Sequence, residues 1–414
     1  MVAERGDVDA PAVIDAARVG RIFREESGRS VAALIRVLGD IELAEDAVQD
    51  AFAVALCRWP SEGLPPNPGG WITTTARNRA IDRLRHESRG RELLAEVALL
   101  APRDDELRMT EQEGPVDDDR LRLIFTCCHP ALSGEAQVAL TLRLLGGLST
   151  EEVASAFLVA DQTMAKRLVR AKRKIKAARI PYRVPADHDL PSRLPPVLAV
   201  IYLIYNAGLA RPDEPVLCAE AIRLARILST LMPDEPEVAG LLGLLLLTES
   251  RRPARLRDDG SLAVLAEQDR ALWDRALIDE GRDIVRRCLR RDQPGPYQLQ
   301  AAINAVHADA ATFEETDWSQ IVALYDRQLE LAPTPVIALN HAIAIGELEG
   351  PAAALELVER LDLEGYQPFH AARADLLQRL GRADEAASEY ERAAALAPTE
   401  AEREYLRRGG RAAG

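Results

Sequence analysis

The side chains best placed to do chemistry are Gln162, Thr163, Lys166, Arg167, Arg170 and Lys174. Their types suit recognition rather than catalysis: Lys and Arg neutralise phosphates, while Gln and Thr hydrogen-bond to base edges. All four lysines of the chain fall between Lys166 and Lys176, and no acidic residue occurs from Gln162 through Ala186. The elements that must position them are legible around Ser149 to Arg179. Ser149 followed by Glu152 is a capping-box start, and Val153, Ala154 and Phe157 share one helical face before a break at Leu158 to Ala160. Asp161 is placed to cap a second helix, in which Met164, Leu168, Ala171 and Ile175 recur at spacings of four, three and four and make one buried stripe. Two helices joined by a tight turn, the second apolar inside and basic outside, predict a helix-turn-helix whose second helix enters a major groove.

A second basic helix is predicted at WITTTARNRAIDRLRHESRGR, where six arginines lie between Arg77 and Arg91 against Asp82 and Glu87. Trp71, Thr75, Asn78, Asp82 and Arg85 fall on one stripe; Ile72, Ala76, Ala80 and Leu84 fall on the other. An aromatic ring at the head of a basic helix bearing Thr and Asn suits unpaired bases, which stack and offer their edges. The same residues also fit an amphipathic helix with a core tryptophan. Upstream, a helix near Leu43 to Arg58 puts Asp46, Gln49 and Asp50 on one exposed face at i, i+3 and i+4, opposite Val48 and Phe52. That patch is either a protein contact or solvated surface. The Pro/Gly stretch at residues 61–70 between the two helices predicts a loop. Residues 92–119 carry ten acidic residues and two arginines, which predicts a flexible, self-repelling linker.

With 414 residues, nearly half of them apolar, the chain has room for two or three domains with cores. Ala, Leu, Arg and Glu dominate over strand-favouring types, so the expected fold is all-α. The net charge of −14 divides unevenly: residues 1–186 hold 27 basic and 28 acidic residues, and residues 187–414 hold 25 and 38. The five cysteines include no CxxC pair, and Cys127-Cys128-His129 lacks a second cluster, so it reads as a packed helix end rather than a metal site. No cofactor or metal is expected. His307, His341 and His370 are isolated, and no nucleophile motif or glycine loop after a strand occurs, so the chain does not read as an enzyme. Glu267, Asp269 and Asp274 are expected on one helix as a solvated face. The longest apolar run, Val238 to Leu247, is too short to span a bilayer, and with no signal peptide in view a cytoplasmic, nucleoid-associated protein is expected.

In order, the stretches AEDAVQDAF, WITTTARNRAIDRLR, the acidic linker and STEEVASAFLVADQTMAKRLVRAKRKI resemble the extracytoplasmic-function sigma factors of the sigma-70 family, over residues 12–180. The resemblance implies that Asp46, Gln49 and Asp50 dock on the β′ clamp helices of core RNA polymerase, with the β subunit a further contact. It implies that Trp71, Thr74, Arg77, Asn78, Asp82 and Arg85 recognise and melt the −10 element, with the 61–70 loop placed to hold an extruded base. Gln162, Thr163, Lys166, Arg167, Arg170 and Lys174 would read the −35 element of promoter DNA. The implied domains are 12–91 (region 2), 92–116 (linker), 117–180 (region 4) and 186–414, a helical extension of the kind one subgroup carries. Where that subgroup tends to read Asn-Glu-Gly, this chain has Asn206-Ala207-Gly208, so a role for that glutamate does not transfer.

In the extension, Leu377, Leu380, Gly381, Ala386, Tyr390, Ala393 and Pro398 fit a tetratricopeptide helix pair, with a weaker copy from Ile321 to Leu357. Helices are also expected over Cys218 to Leu231, Val238 to Thr248, Ala263 to Arg290 and Pro296 to Ala311. Such an array offers a surface for a regulatory protein or ligand. The rival readings are a one-component helix-turn-helix regulator with a repeat-built sensory domain, and an enzyme fused to a DNA-binding module.

Overall fold

The computed structural model describes residues 16–86, 115–157, 159–186, 188–209, 216–257, 261–397 and 400–413, and within them every extended element is a helix. The linker expected over 92–116 lies outside the described residues except for its last two positions. The chain divides into two compact units, Met1–Ile201 and Tyr202–Gly414.

The first unit opens with α1 (Ala16–Leu38), α2 (Ile41–Glu62) and α3 (Pro68–His86). Val31, Leu34, Ile35 and Leu38 are buried, as their spacing predicts, and so are Ile72, Ala76, Ala80 and Leu84 of α3. Gly39 takes a positive φ of 68° to turn the chain. Asp40 then caps α2 by accepting the amides of Glu42 and Leu43 at 2.9 and 3.2 Å. The loop expected over 61–70 is shorter than its Pro/Gly content suggests. Glu62 still belongs to α2, and α3 already begins at Pro68, whose missing N–H and fixed φ suit a first helical position. Asn67 completes that start by accepting the Gly70 amide at 2.8 Å.

Next come α4 (Pro115–Cys127), α5 (Gly134–Leu144), α6 (Thr150–Ala156) and α7 (Asp161–Ala177). Both Cys127 and Cys128 are fully buried at the end of α4, and burial pushes the Cys128 thiol up to about 12. The Ser149–Glu152 capping box forms as expected, and Met164, Leu168, Ala171 and Ile175 are all buried. One expectation fails: Asp161 does not cap α7. Ala160 occupies the cap position without a side-chain bond, and Asp161 is the first helical residue, where its charge still suits the helix N-terminus.

These helices close against α1. A Cβ on Gly28 would lie 2.6 Å from the Leu145 carbonyl oxygen, and one on Gly147, whose φ is 67°, would lie 2.6 Å from Ser27 Oγ. The Tyr182 hydroxyl shares its one proton between the carbonyls of Ala32 and Asp119, at 2.8 and 2.9 Å.

The unit boundary falls within α8 (Leu190–Leu209). The second unit continues through α9 (Val216–Leu231), α10 (Pro236–Glu249), α11 (Arg275–Arg291), α12 (Pro296–Asp309), α13 (Trp318–Leu331), α14 (Pro335–Leu348), α15 (Pro351–Val358), α16 (Gln367–Arg379), α17 (Ala383–Leu396) and α18 (Glu400–Ala413). Val238 and Leu241 through Leu247, leaving Gly243 aside, are buried core. The helix expected from Ala263 to Arg290 forms only from Arg275; its first third is a strap of short 3-10 turns. The acids interrupt it. Asp269 accepts the Ala271 amide, and Asp274 accepts those of Ala276 and Leu277, so each starts a new element. Glu267 instead pairs with Arg257 at 2.6 Å, so the three acids do not share one helix. In the last hairpin, α16 and α17 are joined through Gly381, whose φ is 75°, and Leu377, Ala386, Tyr390 and Ala393 meet in its core. Pro398 lies outside the described residues.

Two glycines of α1 give a sign test of the packing. Nothing approaches Gly20, so Gly20→Ala should raise stability by roughly 1 kcal/mol through helix propensity. The same change at Gly28 should lower it by about 1–3 kcal/mol, because the Leu145 carbonyl must move. Thermal melts of both variants check this, and a Gly28→Ala melt above wild type would contradict the close approach.

Candidate polymerase and nucleic-acid interface

The face of α7 expected to read DNA is open. Gln162, Thr163, Lys166, Arg170 and Lys174 are exposed, while Met164, Leu168, Ala171 and Ile175 between them are buried. Arg167 is half-buried: its guanidinium lies 5.4 Å from the Phe157 ring centre and 3.2 Å from Glu135, so it is braced against the preceding helices. On α3, Asn78 and Asp82 are exposed, whereas Trp71, Thr74 and Arg77 are half-buried. Trp71 meets the buried Trp59 edge to face with ring centres 5.3 Å apart, which fixes the indole yet leaves part of it accessible. Thr73 binds Ser30 Oγ at 3.0 Å and so anchors α3 to α1. Arg85 falls within α3, but its side chain lies outside the described residues.

On α2, Asp46, Gln49 and Asp50 are exposed together, as their spacing predicts. Asp46 reaches Arg83 of α3 at 3.0 Å, with both side chains half exposed, so the pair is easily exchanged for another partner. Gln49 donates to Glu45 at 3.0 Å.

Glu45 is the residue the spacing argument missed. Its side chain is 8% exposed, and it takes Arg143 of α5 at 2.6 Å on one oxygen and Lys172 of α7 on the other. Arg143 also donates to the Leu148 carbonyl at 2.7 Å, so the same guanidinium ties α2 to the turn before α6. Around this centre, Lys176 pairs with Asp40 at 2.9 Å and Arg36 with the fully buried Asp119 at 2.8 Å. Lys172 thus faces α2, while Lys176 pairs with Asp40 from a largely exposed position. The one local signal was the i, i+4 pairing of Glu45 with Gln49; the cations 98 and 127 residues downstream could not be read from it.

With this geometry, known families align on the same bodies. Sigma-70 region 2 matches residues 22–90, which hold α2 and α3, and sigma-70 region 4 matches residues 122–175, which hold α6 and nearly all of α7. The chain carries regions 2 and 4 of the sigma-70 family. A family of unknown function (DUF6596) matches residues 193–289, within the long C-terminal extension. "Uncharacterized protein R00370" of Rhizobium meliloti is 43% identical over 92% of each chain. "Probable ECF RNA polymerase sigma factor SigI" of Mycobacterium tuberculosis is 28% identical over 42% of this chain and 60% of its own length. The second likeness is a distant one to an extracytoplasmic-function sigma factor and stops short of the whole length of either protein.

Because Glu45 is enclosed with two cations, replacing it leaves both without their counter-charge. Glu45→Gln should cost about 3–5 kcal/mol in urea unfolding of the first unit. Adding Lys172→Met should recover part of that loss. A single-variant change under about 0.5 kcal/mol would show the cluster to be a solvated surface pair instead.

Proposed function

We propose that the chain is a promoter-recognition subunit of bacterial RNA polymerase, without catalytic activity of its own. The observation that carries this reading is the pairing, in one sigma-70 unit, of an exposed amide-and-basic face on α7 with a Trp-headed, Arg-rich α3. In this reading Asp46, Gln49 and Asp50 dock on the β′ clamp helices. Trp71, Thr74, Arg77, Asn78, Asp82 and Arg85 bind and hold the unpaired −10 strand, and Gln162, Thr163, Lys166, Arg167, Arg170 and Lys174 read the −35 element. Residues 12–91, 92–116, 117–180 and 186–414 serve as docking body, linker, −35 body and regulatory extension.

The free chain holds its two bodies together through Glu45, beside the docking face. Core polymerase that binds Asp46 and Gln49 competes with this clasp, because Gln49 bonds to Glu45 and Asp46 to Arg83. A partner that favours the opened form shifts the population towards it in proportion to its differential affinity. The acidic extension then restrains the factor in place of a separate inhibitory protein.

Transcription with purified core polymerase tests the proposal: promoter-dependent RNA should form only when this chain is added. Duplex binding without initiation would favour the one-component regulator instead. Asp46→Arg should abolish core binding in a pull-down while leaving promoter affinity unchanged; retained core binding would remove α2 from the docking role. Lys166→Ala and Arg170→Ala should each lower the slope of log K against log salt by about 0.9 if they meet phosphates. Truncation after Pro185 should raise transcription, and a fall would assign the extension an assisting role.

A further inference from the structure

The second unit is rich in acid, with 36 acidic against 24 basic residues beyond residue 201, and most of its arginines have an acid beside them. Arg252 is held by both oxygens of Glu249, Arg226 by Glu280, and Arg379 by Glu347. Several are not paired in this way, Arg251 and Arg255 among them. The Arg251 guanidinium donates to the neutral Asn304 Oδ1 and sits 6.0 Å from the Trp273 ring centre. Arg255, one helical turn on, has no carboxylate within ion-pair distance among the described residues. Its nearest acid influence is Glu249, which Arg252 and the Tyr205 hydroxyl already occupy.

Both arginines line a hollow of about 520 Å³, inside the range of small-molecule sites. Its walls are otherwise mainly apolar, among them Leu262, Leu265, Ile343, Ala371, Tyr405 and Leu406; Glu402 is the acid that lines it. The strap at residues 262–265 forms one wall. It is fixed by Arg257, which donates to Ser261 Oγ at 3.0 Å and to the Leu262 carbonyl at 2.8 Å while pairing with Glu267. Leu265, Ile343, Ala371, Tyr405 and Leu406 also line an adjoining hollow of about 640 Å³ that reaches Trp318 and Tyr325, so the apolar surface continues beyond the arginines. Burial pushes the Arg251 guanidinium down to about 10 and lowers Arg255 as well, as expected of cations with too little counter-charge.

We propose that this hollow is a binding site for a small amphipathic anion, its carboxylate or phosphate head held by Arg251 and Arg255 and its apolar body laid along Leu265, Ile343, Ala371 and Tyr405. A planar fork of donors beside an apolar wall suits such a molecule, and a cation of the same shape would meet two like charges. Part of the site falls within the segment matched by the family of unknown function, and no polymerase or DNA is needed for it to act, so the proposal stands apart from promoter recognition.

Calorimetric titration of the full chain tests it with decanoate, decyl phosphate and decyltrimethylammonium as probes. Saturable binding of one or both anions is expected, with the head that binds more tightly naming the source chemistry, and no binding of the ammonium. Arg255→Gln should weaken the anion at least tenfold, and Ala371→Trp should block it by filling the hollow while the melting temperature shows both variants folded. Absence of binding by either anion, equal binding of the ammonium, or an unchanged affinity in folded Arg255→Gln would overturn the proposal.

Discussion

The first unit depends on one enclosed carboxylate. Glu45 takes Arg143 and Lys172 from two later helices, and neither cation has enough water around it to do without the acid. Such a cluster adds little net stability over an apolar core, because desolvating three charges offsets much of their attraction. Its effect is orientation: it fixes which face of α7 turns inward and which stays open. Met164, Leu168, Ala171 and Ile175 fill the inner stripe, Lys172 and Lys176 flank it towards α2, and Gln162, Thr163, Lys166 and Arg170 are left outward. The proposed binding chemistry and the closure are therefore written on different sides of one helix.

This division gives the clasp its place in function. The acids that hold the later helices, Asp40 and Glu45, precede the exposed patch of Asp46, Gln49 and Asp50 on the same helix, and Gln49 bonds to Glu45 directly. A partner seated on that patch touches the closure without having to reach across the unit. The glycines at 28 and 147 show that the contact is built into the chain, since both places admit backbone where a side chain would collide. Small residues at such a crossing let two bodies meet closely, and charged pairs around it set the register.

Periodicity made much of this legible. The buried stripes of α1, α3 and α7, the capping box at Ser149 and the exposed face of α2 all follow from local spacing, because local geometry alone decides them. The failures have local physical causes too. Pro/Gly content predicts a loop at Pro68, yet proline also opens helices, and the spacing predicts a cap at Asp161, yet the turn brings Ala160 to that position. Across residues 263–274 the apolar pattern promised a helix, but Asp269 and Asp274 each drew nearby amides to themselves and broke it. Glu45 is a different case. Its partners come from α5 and α7, and no local pattern carries information about a contact of that range. The paired-helix spacing near Leu377 to Ala393 is visible in the sequence, while the hollow lined by Arg251 and Arg255 emerges only once the strap is in place.

The most direct measurement of the central claim is energy transfer between a dye on Cys57, the exposed native cysteine of α2, and a second on Ala165→Cys, exposed on α7, with the other cysteines buried and out of reach. High transfer in the free chain, falling when core polymerase is added and staying low on promoter DNA, is the expected result. Low transfer in the free chain, or transfer that core polymerase leaves unchanged, would contradict a clasp that closes the two bodies until polymerase opens them.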